Sequence, residues 1–213
     1  ADVVKGFLAD ISKAPLAQLG VALDAAYRRW NTVEVSDVGS GMSLKDLRDN
    51  YLVIGTPSRK RAIESAVNTG KAKSPFLGEK GIGRLSAMRL GDRLRVESAK
   101  ADDTTINVID IDWRRFEDLD AMIEDIDIVP ERGPRKPTPT WSGTRLTIGD
   151  LREDWTEARL RQFAEYDFAR LLDPFVDAKT RPRIALFWNG NRIAIPFMDR
   201  ALLEHAHASF KGT

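Results

Sequence analysis

Asp37-Val38-Gly39-Ser40-Gly41-Met42 sets a carboxylate and two glycines in one short loop, and Gly78-Glu79-Lys80-Gly81-Ile82-Gly83-Arg84 sets three glycines beside two cations. A carboxylate at a strand end can accept a hydrogen bond from an exocyclic amine. Glycines beside it let the backbone pass close beneath a flat ring, where a Cβ would collide. Adenine carries that amine; guanine carries a carbonyl oxygen, which a carboxylate repels. A mismatch leaves a buried acceptor unsatisfied, costing about 1–3 kcal/mol. The alternative is a strand-to-helix turn in which Asp37 caps a backbone amide. In the second loop, glycines opening a helix let N–H groups converge where the helix dipole is positive, an anion site suited to phosphates. Lys80 and Arg84 add charge-assisted hydrogen bonds. The pattern is not G-x-x-x-x-G-K-[ST], and the βαβ context of a dinucleotide fingerprint is missing. With glycine near about 7% of residues, both spacings in this order arise by chance in well under ~1% of chains of this length.

The elements that must hold these loops can be read from periodicity. Residues 15–30 recur at helical spacing, and TVEVSD (32–37) alternates as a strand ending at Asp37. SLKDLRDNYLVI (43–54) begins on a serine cap. Residues 55–75 are polar, and GEKGIGRLSAMRLG (78–91) runs from the glycine loop into a short helix ending at Gly91. RLRVES (93–98) and TTINVIDIDW (104–113) pair across the turn KADD; a short strand DIDIV, a Pro-rich connector over 132–141 and a strand SGTRLTI (142–148) follow. Residues 154–172 form one amphipathic helix capped by Asp154, RIALFWNGNRIAI (183–195) a hairpin turning at Asn-Gly, and a last helix starts at Asp199. This order predicts an α+β two-layer sandwich, helices on one face of a mostly antiparallel sheet. We expect a domain over 1–150 and a helix-hairpin-helix segment over 151–213.

Bulk properties exclude several classes. The 213 residues are 42% hydrophobic and 31% charged, so a core can form under an ordinary charged surface. The net charge of +1 gives no electrostatic case for general nucleic-acid or membrane binding. Without cysteine there are no disulfides or thiolate metal sites. No apolar run approaches the ~20 residues needed to span a bilayer; the expectation is a cytoplasmic protein and a piece of a longer chain. His205 and His207 lack a third ligand, and residues two apart do not share a helix face.

The two loops, in this order, resemble the GHKL superfamily of gyrase B subunits, ninety-kilodalton heat-shock chaperones, histidine kinases and mismatch-repair ATPases. Asp37-Val38-Gly39-Ser40-Gly41 is similar to its D-x-G-x-G loop, and Gly78-Glu79-Lys80-Gly81-Ile82-Gly83 to its G-x-x-G-x-G loop. Gly143-Thr144 is similar to its G-T strand, and residues 55–75, opening near IGTPSRKR, stand where its lid belongs, as in chaperone-like and MORC-like members. The resemblance covers about 15–148 and implies the Bergerat ATP-binding fold with ATP and Mg²⁺ as cofactors. It implies that Asp37 meets the adenine amine, with Thr144 helping through an ordered water. Gly39 and Gly41 would shape that loop and Met42 pack near the base. Gly78, Lys80, Gly81, Ile82 and Gly83 would wrap the phosphates. The family's first helix carries E-x-x-x-N; here Ala17 and Val21 stand at those positions, so catalytic and metal residues stay unassigned. The expected function is an ATP-binding domain of a larger ATPase that uses ATP to order a lid and to switch conformation or dimerise. The expected partner is a second copy in the full-length protein, and a candidate partner is DNA, through other domains. The alternatives are a non-hydrolysing nucleotide sensor or scaffold and a histidine-kinase catalytic domain.

Overall fold

The computed structural model describes residues 2–52, 83–116, 128–169 and 183–196. The described residues fall into two compact units, one ending at Glu153 and the other beginning at Asp154.

The first unit is built on alternation. In β2 (Gly91–Ala99) Leu94, Val96 and Ser98 are buried on one face, while Arg93 and Arg95 are exposed on the other. β3 (Thr105–Asp112) repeats this phase, burying Asn107, Ile109 and Ile111. With β1 (Val33–Asp37), β4 (Glu131–Arg135) and β5 (Gly143–Leu151) they form a five-stranded sheet of order β1-β5-β2-β3-β4. Every neighbouring pair is antiparallel. The chain thus has the α+β sandwich with a largely antiparallel sheet that its sequence predicts.

The helical layer follows the same economy. α1 (Asp2–Ser12) precedes a single 3₁₀ turn (Leu16–Gln18) and α2 (Leu19–Trp30). α3 (Leu44–Asp46) continues as a π turn (Leu47–Tyr51), and α4 (Gly83–Leu90) ends where β2 begins. Leu47 from the π turn and Ala87 from α4 close over Leu94, Val96, Ile109, Ile111 and Ile148, with Met42 and Leu146 partly buried at the margin. The opposite face carries ion pairs: Arg95–Asp110 at 2.8 Å, Arg93–Asp150 at 3.0 Å and Arg145–Glu34 at 3.4 Å.

Four local readings differ from expectation. α1 is an additional helix, docked on α2 where Gly6 leaves room for the Trp30 ring and the Trp30 Nε1–H donates to Asp10 at 2.8 Å. The 15–30 helix is broken after its 3₁₀ turn. β4 runs over residues expected as a connector; Pro134 fits there because β4 is an edge strand, where a missing N–H costs no ladder bond. The described end of the expected DIDIV strand, 128–129, lies outside any strand.

In the second unit α5 (Glu157–Phe163) passes into a π turn (Ala164–Phe168), and its cap is Thr156 rather than Asp154: Thr156 Oγ1 accepts from Arg159 N at 3.2 Å. β6 (Leu186–Trp188) and β7 (Asn191–Ile193) form the expected hairpin. Asn189 and Gly190 both have positive φ, 47° and 81°, as a type I′ turn requires.

Candidate nucleotide site

Register brings the site together. Asp37 pairs with Thr144, Thr144 with Ser98, Ser98 with Asn107, and Asn107 with Arg132. Residues directly opposite in antiparallel strands share a face. A polar row therefore crosses the whole sheet at one end of the apolar face that Leu94, Val96 and Ile109 continue.

Asp37 closes β1 and divides its carboxylate between two tasks. Oδ1 accepts from Gly39 N at 2.7 Å, which holds the following turn. Amide capping thus occurs, yet it occupies one oxygen and leaves the second free to accept from a ligand. Ser142 Oγ donates to Gly39 O at 2.9 Å and ties the loop to the entry of β5.

Two glycines are demanded by the protein itself. Gly41 has φ +67°, and a Cβ there would lie 1.8 Å from the Ala99 carbonyl oxygen. Gly143 has φ +140°, and its Cβ would lie 2.2 Å from the Asp37 carbonyl oxygen. The floor is a place where three backbones converge, not only one a ring can approach.

Past Gly41 the chain is fastened from both sides. Met42 N donates to Ser98 Oγ at 2.9 Å, and Asn107 Nδ2 donates to Met42 O at 3.0 Å. Ser43 and Asp46 form a reciprocal capping box. Lys100 Nζ lies 2.7 Å from Asp46 Oδ2. The bond from Lys100, then that from Ser43, lowers the Asp46 pKa to about 2, and Asp46 in turn raises that of Lys100. The helix after the loop is thereby pinned to the β2–β3 turn, which Asp103 closes by accepting from Lys100 N at 2.9 Å.

Of the residues expected to bind nucleotide, the structure gathers Asp37, Gly39, Gly41, Met42 and Thr144 around one end of the sheet. Gly83 opens α4 as expected. Gly78, Lys80, Gly81 and Ile82 lie outside the described residues, as do the 55–75 segment, His205 and His207. Ser98, Asn107 and the Asp46–Lys100 pair are structural contributors that motif reading passes over. The signal was available for two of them, since Ser98 and Asn107 are polar residues in the core-facing phase of their strands. A cavity of about 280 Å³ lies at the other end of the row, lined by Ser43, Lys45, Asp102, Asp103, Asn107 and Arg132 among others. Its lining includes neither Asp37 nor Thr144.

A family model described as "Histidine kinase-, DNA gyrase B-, and HSP90-like ATPase" matches residues 3–134, more than half of the chain. The chain belongs to this ATPase family. It is similar to mitochondrial heat shock protein 75 kDa of Bos taurus, 29% identical over 133 residues, covering 61% of this chain and 17% of that protein. It is also similar to chaperone protein HtpG of Albidiferax ferrireducens, 31% identical over 88 residues, covering 41% of this chain and 13% of the relative. HtpG of Campylobacter jejuni subsp. doylei is 31% identical over 94 residues, 44% of this chain and 16% of the relative. The chain thus spans only 13% to 17% of the length of these relatives. It is a GHKL-type, chaperone-like ATP-binding domain.

Among the described residues no cluster of three histidine or acidic side chains could hold a metal. Val21 is 75% exposed on α2. Asp24, a carboxylate on the same helix, pairs with Arg28 at 3.1 Å as an ordinary surface pair. Nor, among the described residues, is any helix long and apolar enough to cross a membrane.

Proposed function

We propose that residues 1–150 bind ATP with Asp37 and Thr144 as the adenine edge, and that ATP orders the 55–75 segment as a lid and so pairs two copies of the chain. Residues 151–213 are then a separate helix-hairpin-helix segment. The observation that carries this reading is the Asp37–Thr144 register pair, which aims a free carboxylate oxygen and a hydroxyl from neighbouring strands at the same end of the core face. Gly39, Gly41 and Met42 form the turn beside that edge. Gly78, Lys80, Gly81, Ile82 and Gly83 supply the phosphate loop, with α4 beginning at Gly83. Mg²⁺ in this reading is held chiefly by the nucleotide phosphates, because Ala17 and Val21 offer it no side-chain ligand. The same two residues favour a second reading, a sensor that binds ATP without turning it over.

Calorimetric titration with ATP, with and without Mg²⁺, tests both. Micromolar binding that Mg²⁺ barely changes, with no phosphate release, supports the sensor; strong Mg²⁺ dependence with turnover supports the ATPase. Asp37→Asn replaces an oxygen acceptor by an amide donor facing the adenine amine, and is expected to abolish binding while the circular dichroism spectrum is kept. Unchanged affinity would remove Asp37 from the site.

A further inference from the structure

Ser98 has every hydrogen-bonding position of its hydroxyl occupied. Its Oγ lies 2.9 Å from Met42 N, 2.9 Å from Gly143 O and 2.9 Å from Thr144 Oγ1. A hydroxyl offers one proton and two lone pairs. The Met42 amide can only donate and the Gly143 carbonyl can only accept, so the Ser98 proton points at Gly143. The last contact then closes only if the Thr144 hydroxyl donates to Ser98. The reverse arrangement would set the Ser98 and Gly143 oxygens lone pair against lone pair. Ser98 is fully buried, so solvent does not offer it another partner. Thr144 therefore meets a ligand with lone pairs alone. Its neighbour Asp37 does the same, since a carboxylate only accepts.

We propose that Ser98 is a specificity-determining positioning residue: by fixing the Thr144 proton it makes the Asp37–Thr144 edge acceptor-only, which selects a purine nucleotide with an amine at C6 over one with a carbonyl there. The inference rests on the adenine reading above and accounts for how selectivity at that edge is enforced. With Ser98→Ala the Thr144 hydroxyl turns freely and can donate to a C6 carbonyl. The Met42 amide also loses its acceptor, but that loss weakens both nucleotides alike.

The test is the ratio of ATP to ITP affinity, measured by calorimetry on the full chain. ITP replaces the C6 amine by a carbonyl and keeps the ribose and phosphates. Wild type is expected to prefer ATP, and Ser98→Ala to narrow the ratio about three- to tenfold, the worth of one hydrogen bond. Ser98→Thr keeps a hydroxyl in place and is expected to restore the ratio. Equal weakening of both nucleotides by Ser98→Ala would reduce Ser98 to a structural residue and overturn the proposal. If Ser98→Ala fails to fold, Thr144→Val removes the acceptor directly; an unchanged ratio there overturns it equally. Failure of a folded wild-type chain to bind either nucleotide would overturn the adenine reading itself, an outcome distinct from binding without selectivity.

Discussion

Gly41 and Asp46 show how much of the site is decided by single residues. Gly41→Ala places a methyl on the Ala99 carbonyl and forces a positive φ on a residue that resists it. We expect a loss of about 2 kcal/mol or more, visible as a lowered thermal midpoint, together with loss of ATP binding. Asp46 sets a pH dependence whose sign is fixed by its lowered pKa. Its stabilising contribution is fully present above the ordinary value of 3.8 and is lost as pH falls through about 2. Lys100 is 42% exposed, so solvent screening leaves the pair worth about 1 kcal/mol. Urea unfolding of Asp46→Asn should therefore show lower stability than wild type at neutral pH and a gap that narrows below 3.8 and closes below about pH 2. At this scale the sequence was informative about Asp37, whose place before two glycines is a local signal. It was silent on Lys100, because an ion pair between positions 46 and 100 leaves no periodic trace.

Elements with a strong period were legible, and those decided by neighbours were not. β2, β3, β5 and the Asn-Gly hairpin stand where alternation and turn chemistry place them, because one face of each strand must be buried and the turn requires positive φ. β4 was missed because Pro134 argues against a strand, and only its edge position removes the objection. α1 has a period of its own, with Val3, Val4, Phe7, Leu8 and Ile11 at helical spacing, although Val3, Val4 and Leu8 stay more than half accessible. The start of α5 moved by two residues, from Asp154 to Thr156, a shift that two neighbouring cap-forming side chains make hard to resolve beforehand. Thr156→Ala is expected to cost about 1 kcal/mol. Hydrogen exchange of the α5 amides should report it, while those of β2 and β3 stay unchanged.

For the first unit as a whole, β5 is the keystone. It lies between β1 and β2 in the sheet, yet the family match ends at residue 134, before it begins. β1 has β5 as its sole sheet partner among the described residues. A chain ending at residue 135 would therefore keep all of the matched sequence, yet lose Thr144 and the strand pairing that holds Asp37. We expect its amide NMR spectrum to be poorly dispersed and its affinity for ATP to be absent. A well-dispersed spectrum would show that β1 and β2 can join directly.

The same strand order has a consequence for synthesis. Asp37 and its register partner Thr144 are separated by more than a hundred residues of chain. At about 5–20 residues per second, Asp37 is joined to the chain roughly 5–20 s before Thr144. Until β5 emerges, the Asp37 carboxylate has no neighbouring strand to fix it. Nucleotide binding at the proposed edge can stabilise the domain only once β5 has been made and inserted between β1 and β2.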